Sequence, residues 1–251
     1  MTVQSAMILA AGLGTRMRPI TETLPKPLVE VAGKPLIAYS LEALDRAGIG
    51  RVVVNVHHLA PLLIDWLARR AGAEILISDE TEALLDSGGG VVKALPLLGS
   101  GPLILLNADT FWIEDHASGR DNLAEMVDRF DPESMDMLLM TARLDQATGH
   151  TGGGDFTPDS EGRLTRYRGT GDGVIYAGAL VLHPRIFAGI SEPKFSLNRC
   201  FDAAAAAGRL FGYAMRGHWL TVGTPEAIGE AEAAIAAYRG EHAGGESEAA
   251  P

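Results

Sequence analysis

Short apolar runs alternate along the chain with stretches whose apolar positions recur every three or four residues. Ala6-Met7-Ile8-Leu9-Ala10 reads as a buried strand. Pro35 opens a helical stretch with Ile37, Leu41 and Leu44 on one face and Gly48 at its end, a placement that suits proline to a first turn and glycine to a last one. Residues 51–56 read as a strand, and Leu62, Leu63, Trp66 and Leu67 share a helical face. A strand over 73–78 precedes a helix over 90–98. A strong strand over 102–107 ends at Ala108-Asp109, and a helix over 123–130 precedes a strand over 135–141. Strand and helix alternating four times predict an α/β fold: a doubly wound, mainly parallel (Rossmann-like) mixed sheet with helices on both faces and right-handed crossovers.

The pattern breaks after residue 145. Residues 146–173 are rich in Gly, Thr, Asp and Arg and read as loops and short hairpins. Regular elements return as a strand over 174–182, an alanine-rich helix over 197–207, a strand over 210–215 and a helix over 225–238. The expected organisation is one domain, 1–240. Its larger part is about 1–145, a smaller subregion is about 146–224, and a C-terminal helix over 225–238 closes it. Residues 240–251 are Gly-, Glu- and Ala-rich and read as a disordered tail. No internal repeat is visible, and no hexapeptide pattern that would build a β-helix.

Composition narrows the class without naming it. The 251 residues are 47% hydrophobic and 21% charged, ordinary for a globular protein. A single cysteine, Cys200, allows no internal disulfide. No apolar run reaches the roughly 20 residues of a membrane helix, and no signal peptide is evident, so the expected compartment is cytoplasmic, with no membrane partner. The net charge of −11 argues against a nucleic-acid partner. Residues 1–36 depart from that average, with Arg16, Arg18, Lys26 and Lys34 set against Glu22 and Glu30. A basic, glycine-bearing segment in an acidic chain suggests a small anionic ligand.

That segment runs Leu9-Ala10-Ala11-Gly12-Leu13-Gly14-Thr15-Arg16-Met17-Arg18-Pro19, then Leu24-Pro25-Lys26-Pro27-Leu28. Two glycines after a strand let backbone N–H groups turn toward phosphate oxygens. No Gly-Lys-Ser/Thr follows at Walker spacing, and Met17 stands where a dinucleotide fingerprint has its third glycine. Arg16 offers a planar fork and Lys26 a mobile point charge, suited to a triphosphate attacked by a second anion. Taken alone, the Gly-x-Gly is equally well a tight turn. Elsewhere, His57-His58 reads as a loop pair, Cys200 as buried apolar packing, and Glu226, Glu230 and Glu232 as a solvated helix face.

The segment resembles the signature of the sugar-1-phosphate nucleotidylyltransferases, with Ile20 in place of the family leucine. The resemblance continues through Asp86-Ser87-Gly88-Gly89-Gly90, Asn107-Ala108-Asp109, the run from Gly178 to Pro184 and the run from Gly217 to Thr224. Among the branches it looks most like the short bacterial N-acetylmuramate-1-phosphate uridylyltransferases, through Lys93-Ala94-Leu95-Pro96-Leu97-Leu98-Gly99 after the glycine run, and Gly154-Asp155-Phe156. A mannose- or heptose-1-phosphate guanylyltransferase and a degenerate nucleotide-binding protein without turnover are the alternatives.

The resemblance implies nucleotidyl transfer from a nucleoside triphosphate to a sugar-1-phosphate, with Mg²⁺, in a monomer or homodimer, the nucleotide-binding part being about 1–145 and a small sugar-binding subregion about 146–224. It implies that Ala10, Ala11 and Gly12 line the base and ribose. Gly14, Thr15 and Arg16 hold the triphosphate, and Ser87, Gly88 and Gly89 contact the base. Lys26, Asn107, Gly154, Asp155 and Gly178 meet the sugar phosphate, and Asp109 binds the metal. Arg16, Lys26 and Asp109 are the implied catalytic set. One departure stands out: the family's second metal-binding aspartate is Thr221 here, a weaker, uncharged ligand.

Overall fold

The computed structural model describes residues 3–115 and 119–243. Fourteen strands and six α-helices follow one another in these residues. The first part holds β1 (Ser5–Leu9), β2 (Glu30–Val31), β3 (Lys34–Pro35), α1 (Leu36–Arg46), β4 (Arg51–Val56), α2 (Ala60–Leu67), β5 (Glu74–Asp79), α3 (Asp86–Leu98) and β6 (Leu103–Asn107). Then come β7 (Thr110–Ile113), α4 (Asn122–Arg129), β8 (Met137–Arg143), β9 (Ala147–Thr148), β10 (Phe156–Pro158), β11 (Leu164–Arg166) and β12 (Val174–Leu182). The chain continues with α5 (Asn198–Ala206), β13 (Leu210–Ala214), β14 (His218–Thr221) and α6 (Glu226–Ala243).

The main sheet runs β5-β4-β1-β6-β12-β8-β13, with β10 and β11 branching from β12. β5, β4, β1 and β6 are mutually parallel, and β8 and β13 are parallel to each other. β12 is antiparallel to both β6 and β8. The sheet is thus mixed, as expected, and β12 is the reversed strand at its centre. Its reversal follows from entry: the chain reaches β12 through the 146–173 hairpins rather than through a crossover helix, so nothing returns it to the parallel direction.

Strict alternation divides the strands between two apolar layers. Ala6 and Ile8 of β1, Val52 and Val54 of β4, Ile104 and Leu106 of β6, and Leu138 and Met140 of β8 face one layer, where α1, α2 and α4 pack. Met7, Val53, Leu103, Leu105, Met137 and Leu139 face the other, beneath α3 and α5. Each Val, Leu, Ile or Met among them, fully buried, contributes roughly 1.5–3 kcal/mol of transfer free energy. A third cluster joins α6 to Phe111, Leu220 and Val222 beside the β7-β14-β9 ribbon.

Two boundaries move relative to the sequence expectation. α3 begins at Asp86 rather than residue 90, so Gly88, Gly89 and Gly90 lie inside a helix. α6 continues through 240–243, where the tail was expected to start. The rest of that expected tail, 244–251, lies outside the described residues. Cys200 is buried as expected, and burial pushes its thiol up to about 11.

Candidate functional site

The carboxyl ends of β1, β4 and β6 open onto a cleft, the edge where open parallel sheets place their ligands. Its first compartment, about 300 Å³, is lined by Ala10, Ala11, Gly12, Lys26, Asn55, Glu80, Ser87 and Asp109 among others. A second of about 280 Å³ holds Asp155, Arg166 and Tyr176, and a third of about 720 Å³ holds Arg16, Asp109, His150 and Thr221. Asn107, last residue of β6, lines all three.

Leaving β1, the chain turns through the glycine-bearing loop. Gly14 sits at φ +62°, and a Cβ there would come within 2.9 Å of the Thr21 side chain and 3.1 Å of Lys26. Thr21 Oγ1 in turn donates to the Gly14 carbonyl at 2.8 Å. Among the described residues, no backbone N–H from Ala11 to Arg16 donates a hydrogen bond. These free amides, with the Arg16 guanidinium, form a cradle for an anion. That guanidinium lies flat over Gly223, 3.3–3.4 Å from where a Cβ would stand.

Lys26 and Asp109 meet across the cleft, Nζ to Oδ2 at 2.7 Å. Lys26 arrives on the turn after Pro25, and Asp109 on the turn between β6 and β7. The lysine side chain is 12% exposed and the aspartate 36%, so the pair is open enough for a ligand to enter between them.

The floor is fixed by residues that the sequence pattern does not flag. Asn55, at the end of β4, accepts from the Ala10 N–H at 2.7 Å and donates to Glu80 Oε1 at 2.7 Å. Glu80, 1% exposed, accepts from the Leu85 N–H with its other oxygen. The only sequence signal was a polar residue at the end of an otherwise apolar strand.

The glycine run divides in the structure. Ser87 lines the cleft, and its Oγ accepts from the Leu197 N–H at 2.9 Å. Gly88 and Gly89 do not line it. Both N–H groups donate to the Phe195 carbonyl, and Cβ atoms would collide with the Phe195 ring at 2.3 Å and the Pro193 carbonyl at 2.2 Å. Their role here is close packing. The Ser87 N–H is likewise taken, by Asp86 Oδ1 at 2.6 Å, so the amides of residues 87–89 in the first turn of α3 are not free for a phosphate.

Asp155 lines the second and third compartments and accepts from the Tyr176 N–H at 2.8 Å. Gly154 stands behind it against the Gly173 backbone. Gly178, at φ +76°, occupies the irregularity in β12, where a Cβ would strike Thr110 Oγ1 at 2.1 Å. Both glycines shape the wall rather than line it. Thr221 pairs with Thr110 across β14 and β7, and so shares the third compartment with Asp109. Among the described residues, no three His, Cys, Asp or Glu side chains gather to hold a metal ion.

Tyr176 and His150 were not singled out by sequence. Among the described residues, the Tyr176 hydroxyl and His150 Nε2 are buried without hydrogen-bond partners. Burial and the nearby Asp109 and Asp155 carboxylates push the tyrosine's pKa well above its ordinary range. His57 and His58 bond to the backbone carbonyls of Glu80 and Thr21, as loop residues. The acidic face of α6 is less idle than its pattern implies: Glu232 accepts from the Ala32 N–H, and Glu230 lines the third compartment.

Residues 5–237 match the nucleotidyl transferase family. The chain is 42% identical to an N-acetylmuramate alpha-1-phosphate uridylyltransferase of Caulobacter vibrioides, covering 92% of this chain and 96% of that protein. It is 35% identical to one of Neisseria meningitidis, with coverage of 93% and 99%. A mannose-1-phosphate guanylyltransferase of Arabidopsis thaliana is 30% identical over 88% of this chain and 61% of its own length. The fold is similar to that of HddC from Yersinia pseudotuberculosis complexed with GMP-PN, at 21% identity, TM-score 0.71, and coverage of 93% and 100%. It is also similar to a UDP-glucose pyrophosphorylase complexed with UDP-glucose, at 18% identity, TM-score 0.74, and coverage of 94% and 99%. A match that begins at the first residue of β1 and ends within α6 takes in every wall of the cleft, and the chain belongs to the nucleotidyl transferase family.

Proposed function

We propose that the protein transfers a uridylyl group from UTP to N-acetylmuramate 1-phosphate, releasing pyrophosphate and giving UDP-N-acetylmuramate. The observation that carries the reaction class is the free-amide loop with Arg16, set beside the Lys26–Asp109 pair at the end of β6. Near-complete coverage by the two uridylyltransferases supports the choice of base and sugar. We place the reaction in cell-wall recycling and in the cytoplasm. No helix among the described residues is long and apolar enough to cross a membrane.

The amides of residues 11–16 and the Arg16 guanidinium bind the triphosphate and spread its charge over fixed dipoles. Lys26 Nζ, poised at the mouth, stabilises negative charge that builds at the α-phosphorus as the sugar-phosphate oxygen approaches in line. No side chain forms a bond to phosphorus. Asn107 and Asp155 orient the sugar phosphate, and alignment of two bound anions supplies much of the rate.

The donor set fits a metal carried in by the nucleotide rather than caged by protein. Asp109 is one partly exposed carboxylate with a hydroxyl residue, Thr221, in the same compartment. Mg²⁺ keeps several waters and readily takes one or two carboxylates plus phosphate oxygens. Asp109 would hold it, and when bound it neutralises triphosphate charge. Thr221 also favours a second reading, a nucleotide-binding protein without turnover. Pyrophosphate release from UTP and N-acetylmuramate 1-phosphate tests the first reading. Nucleotide binding without release, for every sugar phosphate tried, supports the second.

A further inference from the structure

The second compartment holds a cation that phosphoryl chemistry does not use. Arg166, on β11, lies 4.8 Å from the centre of the Phe156 ring and 5.7 Å from that of Phe201. Its Nε donates to Asp202 Oδ1 at 2.7 Å and its Nη2 to Asn198 Oδ1 at 2.8 Å. Among the described residues Nη1 has no acceptor. A guanidinium held by two tethers and two rings has little freedom left to lose on binding. Asp202 pairs with the Nε edge from the solvent side, its carboxylate 62% exposed, and leaves the Nη1 edge to a ligand.

A second observation points to a ligand in the same compartment. Tyr176 lines it, and its hydroxyl is buried and, among the described residues, unpartnered. Buried hydroxyls are normally hydrogen-bonded, so this one matches a ligand oxygen that the free cleft lacks. Asp155 on the same wall suits sugar hydroxyls, which donate. It repels an anion, and among the residues lining this compartment Arg166 supplies the positive charge able to receive one. Arg16 and Lys26 stand at the phosphate end.

We propose that Arg166, in the compartment it shares with Tyr176, recognises a carboxylate on the sugar ring, so that the enzyme selects an acidic sugar 1-phosphate over its neutral counterpart. The inference rests on the nucleotidyl transfer proposed above. It assigns specificity to the wall formed by β11, β12 and α5, away from the glycine loop.

The test uses two sugar phosphates that differ by one lactyl carboxylate, N-acetylmuramate 1-phosphate and N-acetylglucosamine 1-phosphate, each with UTP. Arg166→Gln is expected to lower kcat/KM for the acidic sugar by about 10- to 100-fold, mainly through KM, the scale of one lost hydrogen bond to a charged group. The KM for UTP and the rate with the neutral sugar stay within about twofold, which also reports an intact fold. Arg166→Lys keeps the charge and recovers part of the loss. Equal losses on both sugars, or no loss on the acidic one, overturn the proposal. If the unaltered protein turns over neither sugar, the reading of its function fails, and calorimetric binding of N-acetylmuramate 1-phosphate decides this inference separately. Binding at least tenfold weaker in Arg166→Gln supports it; equal affinity or no binding to either form overturns it.

Discussion

Lys26 and Asp109 neutralise each other in the free cleft, and that sets what each substitution does. Lys26→Ala removes one preorganised cation from the reacting phosphate, and the loss of such a contact costs ~2.7–4 kcal/mol of barrier. The expected result is a fall in kcat of about 10²-fold or more, with the thermal midpoint little changed because Asp109 still reaches solvent. Steady-state kinetics and a melting curve check both halves. Gly12 gives a complementary test. A Cβ there meets nothing within 4 Å, so Gly12→Ala should leave stability unchanged yet raise the KM for the nucleotide, by intruding where the ligand sits. A KM equal to that of the unaltered protein would move the nucleotide away from the loop. At position 221, Thr221→Asp restores a full negative charge near Asp109 and should lower the Mg²⁺ concentration giving half-maximal pyrophosphate release. Coinciding titration curves would mean that this side chain does not face the metal.

At the scale of elements, α3 and α4 do different work. α3 closes onto the 193–197 segment through glycines, and Gly89→Ala would push a methyl group into the Pro193 carbonyl. Overpacking against backbone costs roughly 1–3 kcal/mol, and a lower melting temperature would register it. α4 is tied to the far end of the sheet by Glu125, which accepts from Arg216 through both oxygens, at 2.7 and 2.9 Å, and from the Tyr213 hydroxyl at 2.9 Å. The Arg216 hydrogen bonds hold the Glu125 pKa at about 2, against 4.5 for an isolated glutamate side chain. A depressed carboxylate contributes stability that is complete above pH 4.5 and disappears as pH falls toward 2. Glu125→Gln should therefore melt below the unaltered protein at pH 7, with the difference closing between pH 4.5 and 2. A constant difference across that range would assign the effect to shape rather than charge.

The same elements show how far the sequence could be read. The parallel half was legible because Ala6-Met7-Ile8-Leu9 and Leu103-Ile104-Leu105-Leu106 are apolar at every position, the mark of strands buried on both faces. Nothing local encoded the reversal of β12, which depends on how the 146–173 hairpins deliver the chain. The glycine loop with Arg16 and Lys26 was legible as glycines and cations following an apolar strand, and Asp109 through the family resemblance alone. Gly88 and Gly89 carry the same letters for a different reason, a close approach to residues about a hundred positions away. Asn55, Glu80, Arg166 and Tyr176 were silent, since each acts through a partner distant in sequence.

For the whole molecule, three compartments meet at Asn107 on one sheet edge, and the proposed reaction brings nucleotide and sugar phosphate together there. The pyrimidine–sugar pairing is the central claim, and the relatives offer two pairings: a uridylyl group with N-acetylmuramate 1-phosphate, or a guanylyl group with mannose 1-phosphate. The most direct measurement is pyrophosphate release with Mg²⁺ for UTP, GTP, CTP and dTTP, each against N-acetylmuramate 1-phosphate and mannose 1-phosphate. The expected result is a kcat/KM for UTP with N-acetylmuramate 1-phosphate that exceeds every other combination by at least tenfold. Release that is fastest with GTP and mannose 1-phosphate, or absent from all eight mixtures while UTP still binds, would contradict the account.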